Sequence, residues 1–258
     1  MTVSDSAAVQ LPDSPSVAII GDSVIAGLGV GGRSYAKLVA ERLDASRTLR
    51  VCRSTFTVLD AVEKLDRLHA QRPDVAIVSV GGSDGLVHAG AWVQRMLDNH
   101  GPKSWQGMQG LDPRAYLSGT RRQRVRQRAT SLIKVTVKHV GIRLTGGSRR
   151  VEPEAFAGGV RDLFAGLAEL DCVVIVVGLH MPDEKLFPRS TASLLEYERL
   201  TAAALASHPD FMFVRTQGLL DVWDDFLVDH AHFCESGHAK VAQAVLAALG
   251  KRSQVAVS

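Results

Sequence analysis

Val17-Ala18-Ile19-Ile20-Gly21-Asp22-Ser23 is the stretch on which the reading of this chain turns. Four apolar residues, two of them the same β-branched isoleucine, end at a glycine, an acid and a serine. A short apolar run closed by turn residues predicts a buried strand delivering its next residues to the rim of a sheet. Four further runs have the same character: Leu49 to Cys52, Val75 to Val80, Cys172 to Val177 and Phe211 to Val214. Helical spacing lies between them, as in Tyr35, Leu38, Val39 and Leu43, or Val58, Ala61, Val62, Leu65 and Leu68. Further helical patterns cover Glu154 to Leu170, Leu194 to Ser207 and Ser236 to Leu249. Strand and helix in alternation predict an α/β fold, a five-stranded parallel sheet with helices on both faces. Ligands of such sheets bind beyond the carboxyl ends of the strands. The residues just after each apolar run are therefore the ones that matter.

The chain has 258 residues, of which 46% are hydrophobic, enough for one sizeable domain over residues 16–250. Residues 1–15, rich in Ser, Asp and Pro, read as a disordered leader without a basic start or apolar core, and 251–258 as a tail. No run is long enough to span a bilayer. Cys52, Cys172 and Cys234 are odd in number and widely spaced, so neither a disulfide framework nor a metal site is expected. Reduced thiols fit a cytoplasmic protein.

Roughly ninety residues separate the third and fourth runs, far more than a crossover helix requires. Residues 100–152 are expected to form a helical cap. The segment holds the Gly/Trp-rich stretch Gly101 to Gly110, then Leu111-Asp112-Pro113, then a basic run. From Pro113 to Val151 there is no acidic residue, while Arg121, Arg122, Arg124, Arg126, Arg128, Lys134, Lys138, Arg143, Arg149 and Arg150 accumulate. A solvated helix face is the default for such a run. An acidic partner such as an acyl carrier protein at 121–150 is a second reading, and an anionic membrane surface a third. Nucleic acid is disfavoured because aromatic residues that stack bases are missing.

The strand ends supply Gly21-Asp22-Ser23, Gly81-Gly82-Ser83-Asp84 and, beyond the last run, Asp229-His230-Ala231-His232. A serine at a strand-to-helix turn presents its hydroxyl where backbone N–H groups are unpaired and can bind an oxyanion. Serine is a weak nucleophile and needs a base. Asp229 and His232, three apart, provide an imidazole with its orienting carboxylate. His230 is the alternative base in a shifted register.

On these residues the chain resembles the SGNH (GDSL-type) hydrolases. Gly21-Asp22-Ser23-Val24 resembles that family's first block, and Asp229-x-x-His232 followed by Ser236-Gly237-His238 its last. The resemblance implies a flavodoxin-like three-layer αβα sandwich and a triad of Ser23, His232 and Asp229, with no cofactor and no metal. It places the oxyanion donors at Ser23, at Thr55 where the family has glycine, and at Ser83 where it has asparagine. Asp22 and Asp84 read as supports of their turns, and His238 as a surface or capping residue. Gly82, Trp105 and His180 are candidates for contacting substrate. Trp92 and Trp223 could stack on a sugar or line an acyl pocket, with a place in the core as the default.

The expected activity is a serine esterase acting on an O-acyl ester of a small molecule or glycan, through an acyl-enzyme on Ser23. Discharge to a sugar or polyol hydroxyl would make it an O-acyltransferase, and loss of the oxyanion donors a binding protein. Gly27, Gly29 and Gly32 match the G-x-G-x-x-G dinucleotide spacing, but the first lies six residues past Gly21.

Overall fold

The computed structural model describes residues 11–255. Five strands, β1 (Ser16–Gly21), β2 (Arg47–Cys52), β3 (Val75–Ser79), β4 (Val173–Val177) and β5 (Met212–Val214), pair in the order β2-β1-β3-β4-β5. Every pairing is parallel, with Ile20 opposite Val51 on one side and Val78 on the other. This is the doubly wound flavodoxin-like order, whose direction of winding switches between β1 and β3.

Alternation along the strands divides the core in two. Ala18, Ile20, Ala76, Val78, Val174 and Val176 face α2 (Val58–Val62), α3 (Leu65–Gln71), α7 (Pro153–Ala168) and α8 (Ser190–Leu205). Val17, Ile19, Val75, Ile77, Val173 and Ile175 face α1 (Tyr35–Arg42) and α9 (Glu235–Val255). Because both faces are covered, the central strands are apolar except at Ser16 and Ser79 at their ends, which is why they stand out in the sequence. The helical pattern expected from Val58 to Leu68 is two helices broken at Glu63-Lys64. Leu11 packs on the second cluster, and the Pro15 carbonyl accepts from the Ser46 N–H, so the expected leader is anchored from Leu11 onward. Its first ten residues lie outside the described residues. Helix α9 continues to Val255 into the expected tail, of which residues 256–258 also lie outside.

Between β3 and α7, which leads into β4, come the single turn α4 (Gly82–Gly85), α5 (Ala91–His100), a 3-10 turn (Lys103–Trp105) and α6 (Arg121–Thr145). A small cluster of Ala89, Val93, Leu97 and Leu111 joins these pieces, and Trp105 packs against it. Two cations of the basic run point inward. Lys134 donates to the Ser104 carbonyl at 2.6 Å, and the fully buried Lys138 reaches Asp112 at 2.5 Å above the Phe187 ring. Arg149 is engaged as well, with Ser193 and Glu196. Among the described residues no helix is long and apolar enough to cross a membrane.

Three expectations for single residues are corrected. Trp92 and Trp223 are exposed, at 60% and 74%, because each sits on the outer side of its segment. His238 is buried: its Nδ1 accepts the Tyr35 N–H at 3.1 Å, joining α9 to α1, and burial holds its imidazole down at about 4. Gly27, Gly29 and Gly32 build no strand-to-helix junction. All three have positive φ within a chain of turns, and a side chain at Gly29 would collide with Leu227.

Asp84 supports its turn as expected. Its Oδ1 accepts the Val58 N–H at 2.9 Å and its Oδ2 the Gly81 N–H at 3.0 Å, while burial pushes the carboxyl up to about 7. Replacing Asp84 by Ala strands two buried N–H groups and should cost about 3 kcal/mol, with Asp84→Asn costing less because one acceptor remains. Urea unfolding measures both, and equal losses would contradict this account.

Candidate active site

Asp22 and Ser23 follow β1, and the segment after β3 places Gly82 and Ser83 beside them. Asp22 holds the two turns together: its Oδ1 accepts the Val24 N–H at 3.0 Å and its Oδ2 the Ser83 N–H at 3.1 Å. Burial pushes its carboxyl above the usual range, against these bonds and the nearby His232. Gly82 is required here, since a Cβ at that position would lie 2.5 Å from the Asp22 Oδ2. Beyond Ser23 the chain makes one helical turn, Ala26 N–H to Asp22 carbonyl, before the glycine turns begin; the regular helix starts only at Tyr35.

The other half of the site arrives 209 residues later. The loop after β5 is clamped at Asp225, a fully buried carboxylate that accepts from the Asp221 N–H, the Ser236 hydroxyl and the Lys240 ammonium. The Leu227 N–H donates to the His232 carbonyl at 2.7 Å, and Phe226 packs edge-on against Phe233. His232 is thereby set with its Nε2 2.8 Å from the Ser23 Oγ and its Nδ1 2.6 Å from the Asp229 Oδ2. The Asp229 Oδ1 accepts the N–H groups of Ala231 and His232, both at 3.1 Å. Burial opposes ionisation of Asp229, but its bonds to His232 and to the backbone outweigh it and hold the carboxyl below the usual range. Burial likewise opposes the His232 cation, yet Asp229 raises its pKa above the ordinary value, with Asp22 and Asp112 adding to the effect. With Nδ1–H donated to Asp229, Nε2 is free to accept the serine proton. His230 is turned away and bonds Asp183 at 3.0 Å, so the shifted register does not form.

Ser23 opens into a cavity of about 200 Å³. Gly82, Ser83 and His180 line it, together with an apolar wall that includes Leu28, Leu86, Phe187 and Leu194. Burial, reinforced by the neighbouring His232, holds His180 at about 4, so it is neutral near pH 7. Trp105 is not among the lining residues, because the small cluster of the segment beyond β3 takes its ring. Among the described residues the backbone N–H groups of Ser23, Thr55 and Gly82 have no hydrogen-bond partner. Ser54, rather than Thr55, reaches the cavity wall. Thr55 is in the left-handed region at φ 63°, a strained setting for a β-branched residue. The Ser83 hydroxyl lies 3.5 Å from the Asp22 Oδ2, at the outer limit of a hydrogen bond.

Sequence reading missed Asp112 and Gln109 as cavity residues. Asp112 is oriented by Lys138 and stands 3.9 Å from the buried His88. The one available signal was that Asp112 is the last acid before the basic run.

No family model and no curated protein matches the chain. Solved structures do. LAE5, an alpha/beta hydrolase enzyme from the metagenome of Lake Arreo, superimposes with a TM-score of 0.58 at 18% identity, covering 94% of this chain and 98% of that one. TesA gives 0.56 at 14% identity, covering 92% and 99%. Axe2, an acetylxylan esterase from Geobacillus stearothermophilus, gives 0.58 at 16% identity, covering 93% and 96%. At these identities the likeness establishes a shared α/β fold over nearly the whole chain.

Proposed function

We propose that this protein is a serine esterase of the SGNH type, which hydrolyses an O-acyl ester through an acyl-enzyme on Ser23. The observation that carries the proposal is the unbroken hydrogen-bonded chain from the Ser23 Oγ through His232 to Asp229. The ester-cleaving relative Axe2, whose fold this chain shares, supports the same class of chemistry.

In this mechanism the Ser23 Oγ attacks the ester carbonyl carbon while His232 takes its proton, and Asp229 stabilises the imidazolium. The negative oxygen of the tetrahedral intermediate is met by the Ser23 N–H, with the unpartnered N–H groups of Thr55 and Gly82 as its further donors. Ser83 assists from the backbone side, by holding Asp22 and so the Ser23 turn. The carbon–oxygen bond to the alcohol then breaks, and His232 returns the proton to the departing oxygen. Water adds to the acyl-enzyme by the reverse sequence, releasing the acid and restoring Ser23. The reaction balances with water alone and needs no metal or cofactor.

The cavity of about 200 Å³, with its Leu86, Phe187 and Leu194 wall, suits a short acyl chain. Turnover of p-nitrophenyl esters should therefore fall steeply as the acyl chain lengthens. Ser23→Ala should lower kcat on the order of 10⁴-fold or more, and Asp229→Asn, which disturbs the tautomer but not the site, by up to about 10⁴-fold. Wild-type turnover by the Ser23 variant would overturn the assignment.

Because the base acts as neutral imidazole, acylation speeds up as His232 loses its proton. The raised pKa places the midpoint of the kcat/KM profile above the ordinary histidine value of 6.5. A midpoint below that value would mean that Asp229 does not support the base.

If Thr55 contributes through its backbone N–H, Thr55→Gly should keep activity and stabilise the fold by about 1 kcal/mol, since glycine relieves the positive φ. A tenfold loss of kcat with an intact melting transition would show instead that the Thr55 side chain participates.

A further inference from the structure

Helix α6 is inverted. Its inward side carries Lys134, Val135, Lys138, Gly141 and Ile142, all buried. Its outward side carries Val125, Leu132, Ile133, Val140 and Leu144, whose exposures run from 52% at Val140 to 73% at Leu144. At about 100° per residue these two sets occupy opposite arcs of about 120° each. The five aliphatic residues spread as an interrupted stripe along about 28 Å of the outward arc, at 1.5 Å per residue, with the exposed Thr136 between Ile133 and Val140. Arg121 and Arg128 border the stripe on one side and Arg126 on the other; Arg122 and Arg143 lie within it, and all five are exposed. The surrounding segment adds to the feature. Of the twelve large hydrophobic side chains exposed among the described residues, eight, from Trp92 to Leu144, lie in α5, α6 or the loop between them.

We propose that the outer face of α6 is a docking surface for an anionic lipid bilayer. An apolar stripe edged by arginines is the pattern by which a helix lies in a bilayer interface, apolar side down and cations at the headgroups. Charge selects this occupant over a second copy of the chain. Residues 113–151 contain no acid, so α6 packed against itself would set arginine against arginine with nothing to compensate. Shape selects it over a folded acidic protein. A helix face is convex, so a protein partner must offer a matching groove, whereas a bilayer receives it anywhere.

Docking in this orientation also bears on the cavity. Lys138, on the inner side of the same helix, holds the cavity residue Asp112. Ala115 lines the cavity and also a groove containing Arg124, Arg128 and Tyr116. The cavity wall therefore lies about one helix diameter, roughly 10 Å, from the docked face.

The test is co-sedimentation of the whole protein with vesicles of phosphatidylglycerol and phosphatidylcholine, against phosphatidylcholine alone. Binding is expected only to the anionic vesicles, and to weaken as salt is raised. Arg121→Gln, Arg126→Gln and Arg128→Gln together should weaken it on the order of 100-fold. Leu132→Ser with Ile133→Ser should weaken it about tenfold or more. These residues are exposed, so circular dichroism should show every variant folded. Absence of binding to anionic vesicles at low salt would overturn the proposal, as would equal binding to neutral vesicles. Binding indifferent to Leu132 and Ile133 would reduce the interaction to bulk attraction and equally overturn it. A dimer in sedimentation velocity that Leu132→Ser dissolves would assign the face to a second copy instead.

Discussion

The Asp22 carboxylate, buried between the Val24 and Ser83 N–H groups, holds the turn after β1 against the turn after β3. These turns flank the point where the winding of the sheet reverses, and the gap opened there is the start of the cavity. Gly82 must lack a side chain so that the carboxylate fits, and Ser23 takes its position from the same turn. Asp84 repeats the device one layer back, binding the β3 turn to the first residue of α2. Two buried carboxyl groups thus give a rigid floor to a cavity at which Ser23 and His232 lie on loops. The cost of burying them is offset only in part by directed backbone donors, so burial still holds both carboxyls above the usual range.

A second constraint acts at the far end of the chain. His232 lies on an irregular loop, where a side chain would ordinarily be loosely held. Here Asp225, with its three donors, and the Phe226–Phe233 contact fix the loop to α9. His238, buried within the first turns of α9, ties that helix to the start of α1. Ser23 and His232 therefore belong to one rigid unit although they are far apart in sequence. The segment between β3 and β4 closes the remaining side with Gln109, Asp112, Pro113 and Ala115.

The central strands β1, β3 and β4 were legible because they are buried on both faces and read as apolar runs, whereas the edge strand β2 carries the exposed Arg50 within its run. Only β2, at the edge, begins two residues before its apolar run, with the exposed Arg47 and Thr48. Ser23 could be picked out at a strand end, and Asp229 with His232 by their three-residue offset and by the resemblance of both segments to the SGNH blocks. The structure joins the three side chains in one hydrogen-bonded chain. What escaped depended on contacts between distant segments. Nothing local to Lys138 shows that Asp112 and Phe187 enclose it. Nor does anything local to His238 show that Tyr35 needs an acceptor. The aromatic residues misled for a related reason. Trp105 and Trp223 belong to segments without a repeating period, and Trp92 lies beside the buried Val93 and Leu97 on the opposite side of α5, so neither the core nor the cavity could be assigned to them in advance.

The central claim is that Ser23 is the nucleophile, activated by His232. Intact-mass analysis after exposure to a fluorophosphonate, followed by peptide mapping, tests it most directly. The account predicts one adduct per chain, on Ser23, absent in Ser23→Ala and slowed by His232→Ala. An adduct on another residue, or none at all from a preparation that still turns over esters, would contradict it.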